Sequence, residues 1–170
     1  MPTESLRTSI IRGGIAGGLA TVGMTAAMVL MHRCLPARQR YGLPPEQITD
    51  ELLERVDADH RLTHRQFEVL TMLAHHGYGT SMGAIYGAWE ADQRPTAPVV
   101  NGMCFGLLVW AISYCGWLPA IGMDASATRE PAQRNALTLL AHLIWGGTTG
   151  WLLATAAPAR VSSAHAHPVR

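Results

Sequence analysis

The chain has no lysine. All 13 of its basic residues are arginines, set against 12 acidic residues, for a formal net charge of +1. That balance leaves no cationic surplus to neutralise a phosphate backbone, so no nucleic-acid partner is expected. Charge of either sign is scarce: 15% of 170 residues carry it, where a soluble domain usually approaches about a quarter. Cysteine occurs only as Cys34, Cys104 and Cys115, with no C-x-x-C spacing, which excludes a disulfide scaffold and points to three free thiols. Neither H-E-x-x-H, a phosphate-cradling glycine loop nor a Ser/His/Asp order is present, so no enzyme, no cofactor and no metal are expected. The length suits one domain.

The few charges are not spread evenly. Residues 13–31, 69–89, 95–123 and 135–159 contain no Asp, Glu, Lys or Arg. Each window is close to the roughly 20 residues that a helix needs to cross a hydrocarbon core. The mean hydropathy of +0.11 therefore averages four uncharged spans with a charged remainder. A soluble bundle needs a polar outer face on most helices, and the third window offers little beyond Asn101 and Ser113 for one. Trp89 and Trp117 lie near window ends, where interfacial aromatics belong. Arg7 and Arg12 before the first window resemble a secretory signal, but no A-x-A site follows, and a retained first span is expected.

The second and fourth windows repeat each other. Leu70-Thr71-Met72-Leu73-Ala74-His75 matches Leu137-Thr138-Leu139-Leu140-Ala141-His142, and Gly79 and Gly83 fall on Gly146 and Gly150. More weakly, Gly14, Gly18, Leu19 and Thr25 of the first window fall on Gly102, Gly106, Leu107 and Ser113 of the third. The expected fold is all-α: an integral membrane four-helix bundle of two parallel-repeat helical hairpins, related by a pseudo-two-fold axis along the membrane normal. The expected limits are an N-terminal tail at 1–12, a transmembrane domain at 13–157 and a disordered tail at 158–170. The domain would hold one repeat near 13–89 and another near 97–157.

Residues four apart on a helix differ by only about 40°, so the glycines fall into stripes. Gly79 and Gly83 continue Thr71 and His75; Gly146 and Gly150 continue Thr138 and His142; Gly14 and Gly18 share a face, as do Gly102 and Gly106. Such stripes let backbones approach closely in lipid. Counting from the hairpin connections puts His75 level with Thr25 and His142 level with Ser113. An imidazole to hydroxyl hydrogen bond between neighbouring helices is expected at each level. These six residues form the candidate intramembrane polar site. One reading is packing, with each imidazole satisfied by a hydroxyl. The other is a titratable pair lining a polar pathway, since intramembrane ionisable groups are expensive to keep. A two-imidazole metal site lacks further ligands, because no carboxylate lies in any window.

Leu43-Pro44-Pro45-Glu46 in the first connection reads as a helix start, with prolines in the first turn and an acidic group at the positive end. Ile48, Leu52 and Val56 give that short helix an apolar stripe, and its expected place is over the bundle mouth. Thr63 and Gln66 form a capping-box pattern that starts the second long helix and separates His60 from His64. Pro119 should end or kink the third long helix. The two hairpin connections carry eight arginines against five in the tails and central loop, which leans toward cytoplasmic connections.

The order of a G-x3-G-L first helix, the Leu43-Pro44-Pro45-Glu46 loop, Ala74-His75 with Tyr78-Gly79 and Gly83, Val109 to Tyr114, and a final Ala141-His142 helix resembles an uncharacterised family of small bacterial membrane proteins. That family is similar in style to the YagU-like inner-membrane proteins. The resemblance covers roughly residues 10 to 157. It implies a four-span, multi-pass protein of the bacterial inner membrane, with the lipid bilayer as partner, homo-oligomerisation left open, and no activity to carry over. A channel or transporter subunit using His75 and His142 is the alternative.

Overall fold

The structure, a computed structural model, describes residues 5–91 and 96–156. The expected disordered tail at 158–170 lies outside them. Helices account for the fold, and no strand occurs among the described residues. Helix α1 spans Leu6–His32, α2 Pro44–Arg55 and α3 His64–Glu90. Helix α4 spans Pro98–Ala120, and α5 spans Ala132–Thr155. Ser5 caps α1, its hydroxyl accepting from Thr8 N, so the helix begins inside the stretch expected as a tail. The Thr63–Gln66 capping box is present, and α2 opens with Glu46 accepting from Leu43 N. Helix α4 is π-helical over Ala111–Trp117 and ends just past Pro119.

Three helices are long and apolar enough to cross a membrane: α1, α4 and α5. Helix α3, expected as the fourth, is as long as α1 but falls short in composition. Freedom from charge is not hydrophobicity: its central stretch carries His75, His76, Gly77, Tyr78, Gly79, Thr80 and Ser81.

Helix α1 packs on α3 and on α5, and α4 packs on α5. Glycine sets the closeness of two of these contacts. A methyl group on Gly83 would lie 2.7 Å from Gly17 Cα, and one on Gly17 would lie 2.7 Å from Gly83 Cα. Across the other pair, a methyl on Gly146 would lie 3.0 Å from Gly106 Cα, and one on Gly102 would lie 3.1 Å from Gly150 Cα. The two interfaces are built alike, but the matching residue on α1 is Gly17, not Gly14 or Gly18. Gly17 faces Gly79 and Gly83 as Gly102 faces Gly146 and Gly150, and Thr21 stands where Gly106 does. Gly14 and Gly18 also face α3 but meet its side chains: a methyl on Gly14 would lie 3.6 Å from Thr80 and Ala84, and one on Gly18 would lie 2.8 Å from Thr80 Oγ1. In the Gly13-Gly14 and Gly17-Gly18 doublets either residue could serve in sequence, and only the position of α3 decides.

Both hairpin connections lie at one end of the bundle, tied together by Arg134. This side chain is 2% exposed. Its Nε donates to Glu130 at 2.8 Å, Nη1 to Gln39 O at 3.0 Å, and Nη2 to Gly42 O and Gln47 Oε1, each at 2.7 Å. Its guanidinium carbon lies 3.8 Å from the Tyr41 ring centroid. Glu51 on α2 accepts from Asp124 N at 3.0 Å, fastening α2 to the second connection. Gly122, at φ +78°, makes the turn that presents those amides.

Tyr41 donates its hydroxyl to Glu130 at 2.5 Å. Partial burial and then that hydrogen bond push its pKa up to about 12. The protonated phenol is thus favoured by the folded state, so stability is complete below the unfolded value near 10 and falls as pH rises through the interval to about 12. Alkaline unfolding followed by helical circular dichroism should show this loss, and Tyr41→Phe should flatten it.

Candidate functional site

Helices α3 and α4 scarcely touch. They meet through aromatic rings at the end away from the connections, where Phe105 lies 5.0 Å from Tyr86 and 5.8 Å from Trp89 between ring centroids. Toward the connections a cavity of about 260 Å³ separates them. Its roof is α2, whose Pro45, Ile48 and Leu52 face inward. Val56, expected on the same stripe, is 68% exposed because α2 has ended one residue earlier. The floor is Trp145 with Met82, and Trp145 packs on Phe105 at 6.2 Å. Met24 and Met28 of α1 form the back wall.

The opposite side is open. Ala74 and Tyr78 of α3, Trp117 of α4 and Leu52 of α2 line the cavity and are also exposed, so the mouth faces sideways between α3 and α4. The π-helical segment of α4 contributes Ser113, Tyr114 and Trp117 to the lining. A π segment shifts the side-chain register within a helix and is frequent beside functional sites.

Both candidate histidines border this chamber, as do Thr71 and Ser113. The hydrogen bonds expected of them do not form. His142 Nδ1 donates at 2.8 Å to Thr138 O on its own helix. Ser113 Oγ pairs instead with Tyr78 OH at 2.9 Å, joining α3 to α4 across the gap. Thr25 turns its hydroxyl onto Thr21 O at 2.9 Å and lies outside the chamber lining. Thr138 accepts from Trp110 Nε1 at 3.0 Å. Side chains of neighbouring helices meet only if both helices turn them toward each other, and the residue of α4 that packs against His142 O is Gly106, not Ser113.

Two chamber atoms have no partner among the described residues, Thr71 Oγ1 and His75 Nε2. Thr71 is 5% exposed. An unpaired buried hydroxyl costs about 1–3 kcal/mol, so its place here calls for a reason. His142 supplies a second constraint. A carbonyl oxygen only accepts, so Nδ1 of the neutral ring carries the proton and Nε2 is left as an acceptor.

Trp145 closes the floor and donates Nε1 to Gly17 O at 3.0 Å, linking α5 to α1. Its position matches that of Tyr78 in the repeated pattern, and each reaches across to another helix pair. Arg134 gave no sequence signal beyond its charge. Cys104 and Cys115 are free and exposed on α4, as is Cys34 in the first connection. Asp57, Asp59 and His60 place one ligand atom each within 4.8 Å, but all three are exposed.

Residues 23–151 match a family model described as a protein of unknown function, DUF1440. The chain belongs to that family. No curated protein and no solved structure matches it. The DUF1440 region holds every chamber-lining residue except Thr21, while Gly13 and Gly17 precede it.

Proposed function

We propose that the protein is a multi-pass protein of the bacterial inner membrane, YagU-like in style, in which two duplicated hairpins give four crossings and hold a binding chamber between α3 and α4. The observation that carries the fourth crossing is the glycine contact between α1 and α3. It runs from Gly13 against Gly87 to Thr21 against Gly79, so α3 accompanies α1 through its depth. If α1 crosses, α3 has no other place to be. Exposed Leu73, Ile85 and Trp89 on α3 continue the apolar girdle formed by Ile15, Leu19, Leu108, Ile112, Leu140 and Ile144 on the other helices. Like construction of the two glycine interfaces supports the duplication.

The chamber lining contains no carboxylate, arginine or cysteine, and the proposal assigns it binding rather than catalysis. The second reading, an oligomerising channel or transporter subunit, rests on the same two imidazoles bordering one space. A roof of α2 and an aromatic floor favour binding over passage. Liposome flux of protons and small solutes separates the two. Under the binding reading, flux stays at the protein-free background, unchanged by His75→Ala or His142→Ala. Flux above background that both substitutions abolish would establish the pathway.

A further inference from the structure

We infer that the chamber takes a neutral, lipid-soluble molecule of roughly a dozen non-hydrogen atoms bearing a hydroxyl group, an apolar alcohol or phenol, which enters sideways between α3 and α4. This rests on the four-crossing reading, which places the mouth within the bilayer.

Four observations converge on that chemistry. No charged side chain lines the space, so a charged ligand would be buried without a counter-ion, at high cost. The volume of about 260 Å³ holds one ring or short chain and excludes a whole diacyl lipid. The walls are mainly apolar; their polar groups are His75, His142, Thr71, the Tyr78–Ser113 pair, Tyr114, and Thr21 and Thr49, whose hydroxyls are committed to Gly17 O and Pro45 O. The last observation selects the functional group. His142 Nε2 is an acceptor, because Nδ1–H is committed to Thr138 O. A bare carbonyl or ether has no hydrogen to give it, whereas a hydroxyl does. The same hydroxyl oxygen then accepts from Thr71 Oγ1 or from the His75 ring, the two groups left without partners. A single hydroxyl thus satisfies acceptor and donor together, with the apolar remainder against Met24, Met28 and Trp145.

The test uses the full chain in phosphatidylethanolamine/phosphatidylglycerol nanodiscs, titrated with 4-hexylphenol and, as the analogue lacking the hydroxyl, hexylbenzene. Affinity is read from the thermal midpoint and from the 15N signal of His142 Nε2, after correcting each probe for bilayer partition. The expected result is saturable binding of 4-hexylphenol, at least about tenfold tighter than hexylbenzene, with a shift of the Nε2 signal. Thr71→Val should weaken the phenol several-fold, leave hexylbenzene unchanged and leave the empty protein at least as stable as before, since the hydroxyl it removes is buried without a partner. Ala74→Trp, placed at the exposed mouth, should block both probes without unfolding the chain. Equal affinity for the two probes, or phenol binding indifferent to both substitutions, would overturn the proposal. So would cross-linking of two copies through Ala74→Cys with no phenol binding, which would make a second copy the occupant. Cysteine labelling of the same nanodiscs separates the two failures: four crossings without hydroxyl selectivity overturns the ligand alone, and fewer crossings overturns the reading beneath it.

Discussion

Arg134→Met is expected to lower stability by about 4 kcal/mol, the largest loss from any single change in the connection layer. The side chain is 2% exposed and its Glu130 partner 5% exposed. Removing the guanidinium leaves that carboxylate buried beside Tyr41 and strips donors from Gln39 O, Tyr41 O, Gly42 O and Gln47 at once. The cost is therefore that of an uncompensated charge, not of a surface ion pair, which would contribute about 1 kcal/mol or less. Arg134→Lys keeps the charge but not the planar fork that reaches several acceptors, so an intermediate loss is expected. Adding Glu130→Gln to Arg134→Met should recover part of the loss, because the orphaned charge goes with it. Reversible unfolding in detergent measures all four proteins. A loss below about 1 kcal/mol for Arg134→Met would mean the connections are not pinned through this residue.

Gly83→Ala is expected to cost about 3 kcal/mol, a large effect for one methyl group. The added carbon would lie 2.7 Å from Gly17 Cα and 2.9 Å from Gly17 N, and nearer still to Gly13 O. These are backbone atoms of a helix and cannot swing aside as a side chain would, so α1 and α3 must separate and lose contact along their length. Gly77→Ala on the same helix is the control. Nothing lies within 4 Å of the methyl it would add, and relief of glycine's backbone entropy should stabilise the helix by about 0.5 kcal/mol. Opposite signs for two identical substitutions six residues apart separate interface from propensity. Equal effects would contradict the glycine interface.

The charge-free windows located the four long helices, because a charged residue is costly wherever a helix is buried or faces lipid. The start of α2 was equally legible in Leu43-Pro44-Pro45-Glu46, and the start of α3 in Thr63 and Gln66, since caps are local chemistry. Gly79, Gly83, Gly146 and Gly150 lie four apart and continue the stripes of His75 and His142, and all four lie in the helix contacts. The Gly13-Gly14 and Gly17-Gly18 doublets misled. Each offers two residues about 100° apart, and the choice depends on a helix some 70 residues away in sequence.

Of the six residues gathered by spacing, His75, His142, Thr71 and Ser113 line the chamber, while Thr25 and Thr138 do not. Their partners depended on rotation about each helix axis, on the π segment that turns Ser113 toward Tyr78, and on α2 arriving as a roof. Arg134 was invisible because most of its acceptors are backbone carbonyls of a connection whose path no periodicity describes.

The most direct test of the membrane reading is which sides of the bilayer the loops occupy. Native Cys34 marks the first connection; Thr128→Cys marks the second and Thr96→Cys the α3–α4 link, each in a chain with Cys104→Ala and Cys115→Ala, and the latter two also without Cys34. Labelling inverted and right-side-out vesicles with an impermeant maleimide should place Cys34 and the residue-128 thiol together on the cytoplasmic face and the residue-96 thiol opposite. A residue-96 thiol labelled from the same side as Cys34 would show that α3 does not cross, and would contradict the four-crossing bundle.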